Sequence, residues 1–361
     1  MTSKSRRGFL GTSAALMGAT AIAPFLGEDS PLLAQTANAG SDALTNGAEK
    51  FSTATAPHKP VRVLDTDKVP IQGAGASPSL TGWGRKVVFH DPASKDTLSI
   101  LYTQPGIPGA QVHYHTFHEW AYNIKGDFTN NESTCPQQRT GPLQRFREGN
   151  FLDRPPHSLH GGERGRTPWM TSQVGSIILI MEEGGESYTV EEVTEGQQGM
   201  KYAPTADPNF KNIKQWAIPR IIDTLNKMPF QPDPQVPGLG VKWLADDHSR
   251  GFRVITRYLP AGWNSSQAPQ FIRPYYYRQA HQFIFLIAGD LSIQTYKSPT
   301  EKGEVYTAKE NTLIERPPMS IFGLAEGVVT KGTAVWLEAT YSRGTSTAVS
   351  SGLEIEDPTY V

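Results

Sequence analysis

The sequence has almost no cysteine and almost no net charge, and beyond its N-terminal segment it has no long apolar run. It contains one cysteine in 361 residues, Cys135, which excludes an intramolecular disulfide bond and a metal site built from several thiolates. Its 34 Lys and Arg nearly balance 35 Asp and Glu, so no basic excess indicates a nucleic-acid partner. Phosphate-binding glycine loops, nucleophile elbows and paired cysteine motifs are also lacking. What is present, 34 Gly and 28 Pro with 37% hydrophobic residues, favours a turn-rich β protein with a sizeable core.

Residues 1–39 are predicted to be a twin-arginine signal peptide. The segment Ser5-Arg6-Arg7-Gly8-Phe9-Leu10 carries the arginine pair, and residues 10–26 form an uncharged apolar stretch rich in Ala and Gly. The small residues Ala37 and Ala39 predict cleavage before residue 40. The alternative is a chance arginine pair in front of a buried helix.

Beyond residue 39, no segment has the roughly 18 uninterrupted apolar residues that a membrane-spanning helix needs. We therefore expect no stable membrane insertion after processing, and a periplasmic or extracellular location. The twin-arginine export machinery would be a transient partner. This route exports folded proteins, which suits a chain that captures a metal before export.

The chain repeats itself with a nearly constant offset. Gly126-Asp127-Phe128 recurs as Gly289-Asp290-Leu291, an offset of 163 from 126 to 289. The block 154–161 recurs as 316–323, an offset of 162, with five identities in eight positions. Two blocks with almost the same offset indicate a duplicated domain.

Most of the remaining pattern predicts short strands. Alternating and β-branched residues between turns indicate strands at Lys86–His90, Thr97–Thr103, Trp120–Lys125, Ser176–Glu182, Phe252–Leu259, Gln282–Ala288, Asp290–Tyr296 and Ala334–Tyr341. One short helix is predicted at 220–227, after Pro219.

These patterns divide the chain into five parts. After the signal peptide come an N-terminal extension at 40–75, a first domain at 76–202, a Pro-rich linker at 203–240 and a second domain at 241–361. The extension is either disordered or laced onto a neighbouring domain.

A cluster of possible metal ligands falls in the first repeat. His113 and His115 share one face of a strand because side chains alternate, so both can ligate one ion. Glu119 follows, and His160 can arrive from a neighbouring strand. Three imidazoles and a carboxylate suit a borderline divalent metal, and four ligands on an octahedral ion leave two positions open.

These residues resemble the two motifs of the cupin superfamily. His113, His115, Glu119 and Gly126 have the spacing of the first motif, and Gly149, Pro155 and His160 have that of the second. His157 departs from the pattern because the family usually has glycine there. The resemblance covers most of the chain after residue 75 and implies an all-β bicupin, with two double-stranded β-helix (jelly-roll) barrels.

The second repeat resembles a cupin without its metal site. The two offsets place Tyr276, Arg278, Gln282 and Phe322 where the first repeat has His113, His115, Glu119 and His160. These residues do not form a normal ligand set, so this barrel is expected to be metal-free. It would be structural, or Arg278 would bind an anion in a remnant pocket.

Cupins with this ligand set look most like metal-dependent dioxygenases. The resemblance implies one divalent metal, Fe(II) favoured and Mn(II), Ni(II) or Zn(II) possible. A small phenolic or diketone-like substrate would chelate it through adjacent oxygen atoms. His157 and Tyr122 are the candidates for catalytic proton transfer.

Two other classes stay open. The metal as a Lewis acid would support a decarboxylase, lyase or isomerase, since fold does not fix function. Alternatively, the chain is a non-catalytic metal or small-ligand binding protein, which a fifth ligand from His118 or His157 would favour. Cupins often pair through edge strands, so a homo-oligomer is also possible.

Overall fold

The computed structural model describes residues 49–73, 83–106, 112–133, 143–161, 172–192, 202–204, 207–233, 236–247, 251–269 and 274–342. The predicted signal peptide and Cys135 lie outside the described residues. Within them, no helix has both the length and the apolar content that crossing a bilayer requires.

The first part of the chain is built from short strands. They are β1 (Glu49–Phe51), β2 (Arg62–Asp65), β3 (Gln72–Gly73), β4 (Trp83–His90), β5 (Thr97–Thr103), β6 (His113–His115), β7 (Glu119–Ser133), β8 (Leu143–Arg147), β9 (Asn150–Arg154), β10 (Leu159–Gly161), β11 (Ser176–Glu182), β12 (Ser187–Glu192) and β13 (Tyr202–Pro204).

The second part continues in the same way. Its strands are β14 (Arg220–Asp223), β15 (Gln231–Pro232), β16 (Gly240–Asp247), β17 (Phe252–Leu259), β18 (Ala280–Ala288), β19 (Asp290–Ser298), β20 (Glu301–Lys309), β21 (Thr312–Arg316), β22 (Phe322–Leu324) and β23 (Ala334–Ser342). Single 3-10 turns occur at Thr66–Lys68, Phe210–Asn212 and Ser265–Gln267. Each of the eight segments predicted to be strands lies within one of these strands, so those predictions are confirmed.

The first barrel is organised around β7, which serves two sheets. Its first half pairs with β11 and β9, and its second half pairs with β8 and β10. The strand changes sheets at Gly126, where φ is 77° and an added Cβ would lie 1.9 Å from the carbonyl oxygen of Gly175. Only glycine tolerates both this backbone conformation and this close approach.

The second barrel repeats the arrangement with β18 and β19. β18 pairs with β23 and β21, and β19 pairs with β20 and β22. The change of sheet falls at Gly289, with a φ of 81° and an added Cβ only 2.0 Å from the carbonyl oxygen of Thr333. Positive φ also recurs at His157 and Met319, which are 162 residues apart. The predicted duplication and the two-barrel all-β fold are therefore confirmed.

The two barrels share one hydrophobic core. Trp120, Phe151 and Met181 of the first barrel belong to the same buried cluster as Phe283 and Leu337 of the second. The indole Nε1 of Trp120, a fully buried side chain, also donates to the hydroxyl of Tyr341 at 2.5 Å. Burying apolar surface from both repeats against each other stabilises the pair as one unit.

The described part of the N-terminal extension is ordered against the second barrel. β2 pairs antiparallel with β21 over four residues. Just after β2, the backbone N–H of Thr66 donates to the carbonyl oxygen of Asn311 at 3.0 Å. Arg62 on β2 also donates to the carbonyl oxygen of Val88 in the first barrel. The described part of the extension, residues 49–73, therefore packs against the barrels, which agrees with the second of the two alternatives, contact with a neighbouring domain.

The prediction of a helix at 220–227 is wrong. Residues 220–223 form β14, which pairs antiparallel with β9 and places Ile222 opposite Phe151. Two consecutive β-branched residues, Ile221 and Ile222, favour the extended conformation, and the edge of the first barrel supplies the hydrogen bonds that a short helix would have to make internally. The Pro-rich stretch between the repeats therefore contributes a strand to the first barrel.

Candidate metal centre

Strands β6 and β10 bring three histidines together inside the first barrel. His113 and His115 lie on the same face of β6, while Tyr114 between them is fully buried on the other face. β10 lies beside β6 with His160 opposite His113. The ligand atoms of the three imidazoles all lie within 4.8 Å of one another, so they could hold one metal ion.

Hydrogen bonds fix the orientation of two of these rings. Nδ1 of His160 lies 2.9 Å from the carbonyl oxygen of Ser158, which can only accept, so Nδ1 carries the proton and Nε2 has a free lone pair. Nδ1 of His115 contacts the hydroxyl of Ser187 at 2.7 Å, and its buried Nε2 makes no well-aligned hydrogen bond, although Oε2 of Glu119 lies 3.2 Å away. This is the arrangement that metal-binding histidines normally have.

Electrostatics keeps His160 in the neutral form that a metal requires. Burial lowers the pKa of His160 well below its ordinary value, and the nearby Arg154 guanidinium lowers it further. A deprotonated, buried imidazole with its lone pair toward two others matches the donor set of a divalent transition metal.

Glu119 lies beside the three histidines but is also held by an arginine. Its Oε2 is 3.2 Å from Nε2 of His115, and its Oε1 accepts from Nη1 of Arg154. Burial opposes ionisation of this carboxyl group, but Arg154 and His115 outweigh that effect and hold its pKa well below the ordinary range. Glu119 is thus an anion with one oxygen facing the cluster, and its role as fourth ligand stays a prediction.

Arg154 is a buried charged residue beside the histidine cluster that the sequence motifs did not predict as part of the site. It is 5% exposed, and its Nε and Nη2 donate to the two carboxylate oxygens of Glu132 at 3.2 and 2.5 Å. One guanidinium therefore bridges Glu119 and Glu132. Glu132 lies opposite His160 in the β7–β10 pair. The signal was available, because Arg154 is the first residue of the repeated block.

His157 lies on the outer side of β6. Its ring centroid is 6.3 Å from that of Tyr114 and 6.4 Å from that of Trp216, and Tyr114 lies on the face of β6 opposite His113 and His115. Its backbone has a φ of 64° and donates to the carbonyl of His115 at 2.8 Å, so it forms the turn in which cupins usually have glycine. The structure does not place this side chain with the histidine cluster.

Tyr122 lies on the opposite face of β7 from Glu119. It belongs to the core between the barrels with Trp120 and Phe151, whereas Ala121 faces the interior of the first barrel. Burial raises the pKa of its hydroxyl, which interacts with Thr224. This position does not support the predicted proton-transfer role.

His118 forms hydrogen bonds with two carboxylates outside the histidine cluster. Its Nε2 contacts Asp153 at 2.5 Å and its Nδ1 contacts Glu183 at 3.1 Å, and both partners are carboxylates that only accept. Within the described residues, the metal-binding group contains three histidines and neither His118 nor His157. The site is therefore not closed by either of these two histidines.

In the second barrel, two of the residues that occupy the positions of the predicted metal ligands differ from those predicted from the sequence offset. His115 accepts a hydrogen bond from the backbone of His157, and Tyr277 accepts the same bond from Met319. His113 pairs with His160, and Tyr275 pairs with Phe322. Tyr275 and Tyr277, not Tyr276 and Arg278, therefore occupy the histidine positions.

The reason is a one-residue insertion between the two parts of the first motif. Gln282 still corresponds to Glu119, because it pairs with Arg316 on β21 as Glu119 pairs with Arg154 on β9. The offset is thus 162 through His115, 163 from Glu119 onward along β7, and 162 again in the repeated block, so applying 163 to the whole first motif misplaces two side chains. Two tyrosines, a glutamine and a phenylalanine make no metal-binding group.

The fold is that of a two-barrel cupin, and the first barrel contains a histidine group able to hold a metal. No protein-family model matches the sequence, and no curated protein matches it. Solved structures share the architecture. A deletion mutant of Bacillus subtilis oxalate decarboxylase is 13% identical over 78% of this chain and 77% of its own, with a TM-score of 0.52.

Two further structures extend this similarity. A candidate dioxygenase from Nostoc punctiforme is 12% identical over 86% of this chain and 92% of its own, with a TM-score of 0.53. The Lactobacillus farciminis oxalate decarboxylase in complex with formate is 9% identical over 79% and 87%, with a TM-score of 0.51. At these identities the similarity shows the fold alone.

Proposed function

We propose that the chain is an exported metal-dependent oxidoreductase whose first barrel acts as a dioxygenase on a small organic substrate. The observation that carries this proposal is the convergence of three imidazoles within 4.8 Å, two of them buried and hydrogen-bonded through Nδ1. His113 is the partly exposed member, so substrate would enter on its side. Iron is the favoured metal, with manganese, nickel or zinc as alternatives.

Each side chain has a distinct task in this proposal. A bound divalent ion would supply Lewis acidity and, if it is iron, one-electron redox chemistry. His113, His115 and His160 hold it, and Ser187 and the Ser158 carbonyl fix the ring orientations. Arg154 keeps Glu119 ionised and fixes one of its oxygens, which leaves the other facing the histidines.

The state of Arg154 favours a substrate that is recognised mainly through the metal. Each of its three nitrogens donates to Glu119 or Glu132, so its charge is already balanced by two protein carboxylates, which disfavour the approach of a further carboxylate. A phenol or diketone binds a metal through adjacent oxygens and needs no separate cation. The similarity to a candidate dioxygenase structure supports the same assignment.

A Lewis-acid decarboxylase, lyase or isomerase is the second candidate. The observation that favours it is the similarity to oxalate decarboxylase structures over more than three quarters of this chain. In that case the same three histidines hold the metal, and a carboxylate substrate would bind to the metal itself. A non-catalytic binding protein would hold the metal without turnover.

The deciding experiment counts metal atoms per chain and then measures oxygen uptake. We expect about one iron per chain after export through the native signal, and oxygen consumption with phenols or diketones. The variant His113→Ala should lose both, while His90→Ala, which removes a histidine of the same barrel outside the cluster, should keep both. Carbon dioxide release without oxygen uptake would indicate the decarboxylase, and absence of metal in a folded protein would refute a metal enzyme.

Export is tested separately. The double variant Arg6→Lys, Arg7→Lys should stay in the cytoplasm as the unprocessed precursor, because twin-arginine export requires the arginine pair. Unchanged export of that variant would contradict the proposed route.

A further inference from the structure

The second barrel contains a cavity at the place that corresponds to the metal site of the first. Tyr275, Tyr277, Gln282 and Phe322, the equivalents of the four predicted ligands, all line it. The cavity has a volume of about 60 Å³, which exceeds the space that a single water molecule needs. The barrel has therefore lost its metal-binding group but kept an interior space.

One charged side chain in this cavity has unused hydrogen-bond donors. Arg316 is 2% exposed, and its Nη1 donates to Oε1 of Gln282 at 2.5 Å. Its Nε and Nη2 are buried and have no hydrogen-bond partner among the described residues. These two nitrogens form the side-on edge of the guanidinium, whose parallel N–H groups match the two oxygens of a carboxylate.

The first barrel shows what normally occupies such an edge. Arg316 corresponds to Arg154, whose Nε and Nη2 bind both oxygens of Glu132. The residue that corresponds to Glu132 is Thr295, because each lies opposite the equivalent residue of the neighbouring strand, His160 or Phe322. Gln282 likewise replaces Glu119. The arginine has thus been kept while both of its carboxylate partners have become neutral.

The guanidinium is held in place by aromatic rings. Its central carbon lies 4.1 Å from the ring centroid of Phe322, 4.8 Å from that of Tyr275 and 5.0 Å from that of Tyr277. These contacts fix the plane of the guanidinium through cation–π interactions and leave its edge as the polar surface. An acceptor would therefore meet a preorganised group.

The other charges of the cavity are already paired. Glu338, the single carboxylate among the lining residues, accepts from Nε of Arg257 at 3.0 Å and from Gln282 at 2.9 Å. Arg257 also contacts Asp233 at 3.3 Å. Among the lining residues, Arg316 is the charged side chain that makes no ion pair with a carboxylate of the described residues.

The rest of the lining is apolar. The aliphatic and aromatic members are Val236, Leu239, Leu259, Ile284, Leu291, Leu324 and Trp336. A ligand that satisfies both the arginine edge and these walls has a carboxylate at one end and a small apolar body at the other.

We propose that the second barrel is a metal-free binding site for a small apolar monocarboxylate, with the Nε and Nη2 edge of Arg316 holding the carboxylate. This site is independent of the metal-dependent reaction proposed for the first barrel. It differs from a structural remnant because a buried ionic donor pair is kept where no group in the described part of the chain satisfies it.

The test is calorimetric titration of the full chain with acetate, isobutyrate and benzoate, with benzamide as the uncharged control. Each titration is done in the His113→Ala background, so that a carboxylate cannot bind to a metal in the first barrel, and is repeated with the wild-type chain. We expect one carboxylate per chain, with benzamide bound far more weakly. Arg316→Lys keeps the charge but loses the side-on edge, and should weaken binding by about tenfold or more.

A second variant guards against loss of folding. Leu324 is partly exposed, so Leu324→Trp should fill the cavity with little effect on the fold, and should also abolish binding. Circular dichroism melting curves confirm that each variant is folded. Absence of saturable binding of all three carboxylates, or binding unchanged by both Arg316→Lys and Leu324→Trp, would overturn the proposal. Binding that occurs only when the first-barrel histidines are intact would assign the carboxylate to the metal instead.

Discussion

Replacing Arg154 by methionine tests whether this arginine controls the electrostatics of the first barrel. Arg154→Met removes the cation between Glu119 and Glu132 and leaves two carboxyl groups buried side by side, each less than 5% exposed. Breaking a buried ion pair in this way costs about 3–5 kcal/mol, because an uncompensated charge stays in a low-dielectric interior. For a domain of this size, that loss lowers the melting temperature by about 10 °C.

The cost should depend on pH in a defined direction. Arg154 lowers the pKa of both carboxyl groups, so its removal raises their folded-state pKa above the wild-type value. A carboxyl group whose folded-state pKa is raised destabilises the fold once it ionises, so the variant loses stability relative to wild type as pH rises. The difference should therefore be large at neutral pH and shrink as pH falls toward the ordinary value of 4.5.

The matched control is the equivalent arginine of the second barrel. Arg316 has no carboxylate on its guanidinium edge and one hydrogen bond to Gln282, so Arg316→Met should cost less and depend little on pH. Urea unfolding of the metal-free proteins at several pH values, followed by circular dichroism, measures both. A cost for Arg154→Met below about 1 kcal/mol, or one that is equal at all pH values, would refute the reasoning.

Three further predictions follow from the site and the sheet geometry. Ser187→Ala removes the hydroxyl that orients His115, and metal titration should show affinity lower by about 10- to 100-fold; unchanged affinity would contradict that role. Gly126→Ala should destabilise more than Gly262→Ala in chemical unfolding, because both have positive φ but only the first would meet a carbonyl oxygen, so equal losses would rule out the contact. His157→Gly should keep metal content and turnover, since the ring lies outside the cluster, and a large fall in kcat would instead restore a catalytic role for it.

The pattern of residues was sufficient to place eight of the strands and to put the two histidines of β6 on one face. Alternation in a strand requires His113 and His115 to share a face, whatever the rest of the fold does. The repeated block and the repeated glycine also predicted two similar barrels, because a positive φ at Gly126 and Gly289 is a local backbone requirement. These features depend on near neighbours in the chain, so the sequence alone can carry them.

Other features depended on contacts between distant segments. Nothing local shows that Arg154 lies between Glu119 and Glu132, since those two residues are 13 positions apart and meet only when β7, β9 and β10 pair. The segment at 220–227 was predicted to be a helix from its flanking proline, but the free edge of β9 made a strand more favourable. Tertiary hydrogen bonding outweighs such weak local preferences.

By itself, the sequence determined the all-β fold, the duplication and the spacing of the histidines, because each follows from the period of a strand or the conformational needs of single residues. The tertiary structure decided which side chains face which interior. It placed Tyr122 in the core between the barrels and His157 outside the histidine cluster. It also placed Arg316 with an unpaired edge inside the second barrel. The face of the sheet on which a side chain lies depends on strand register, and a one-residue insertion reverses it. Register is set only when the strands pair.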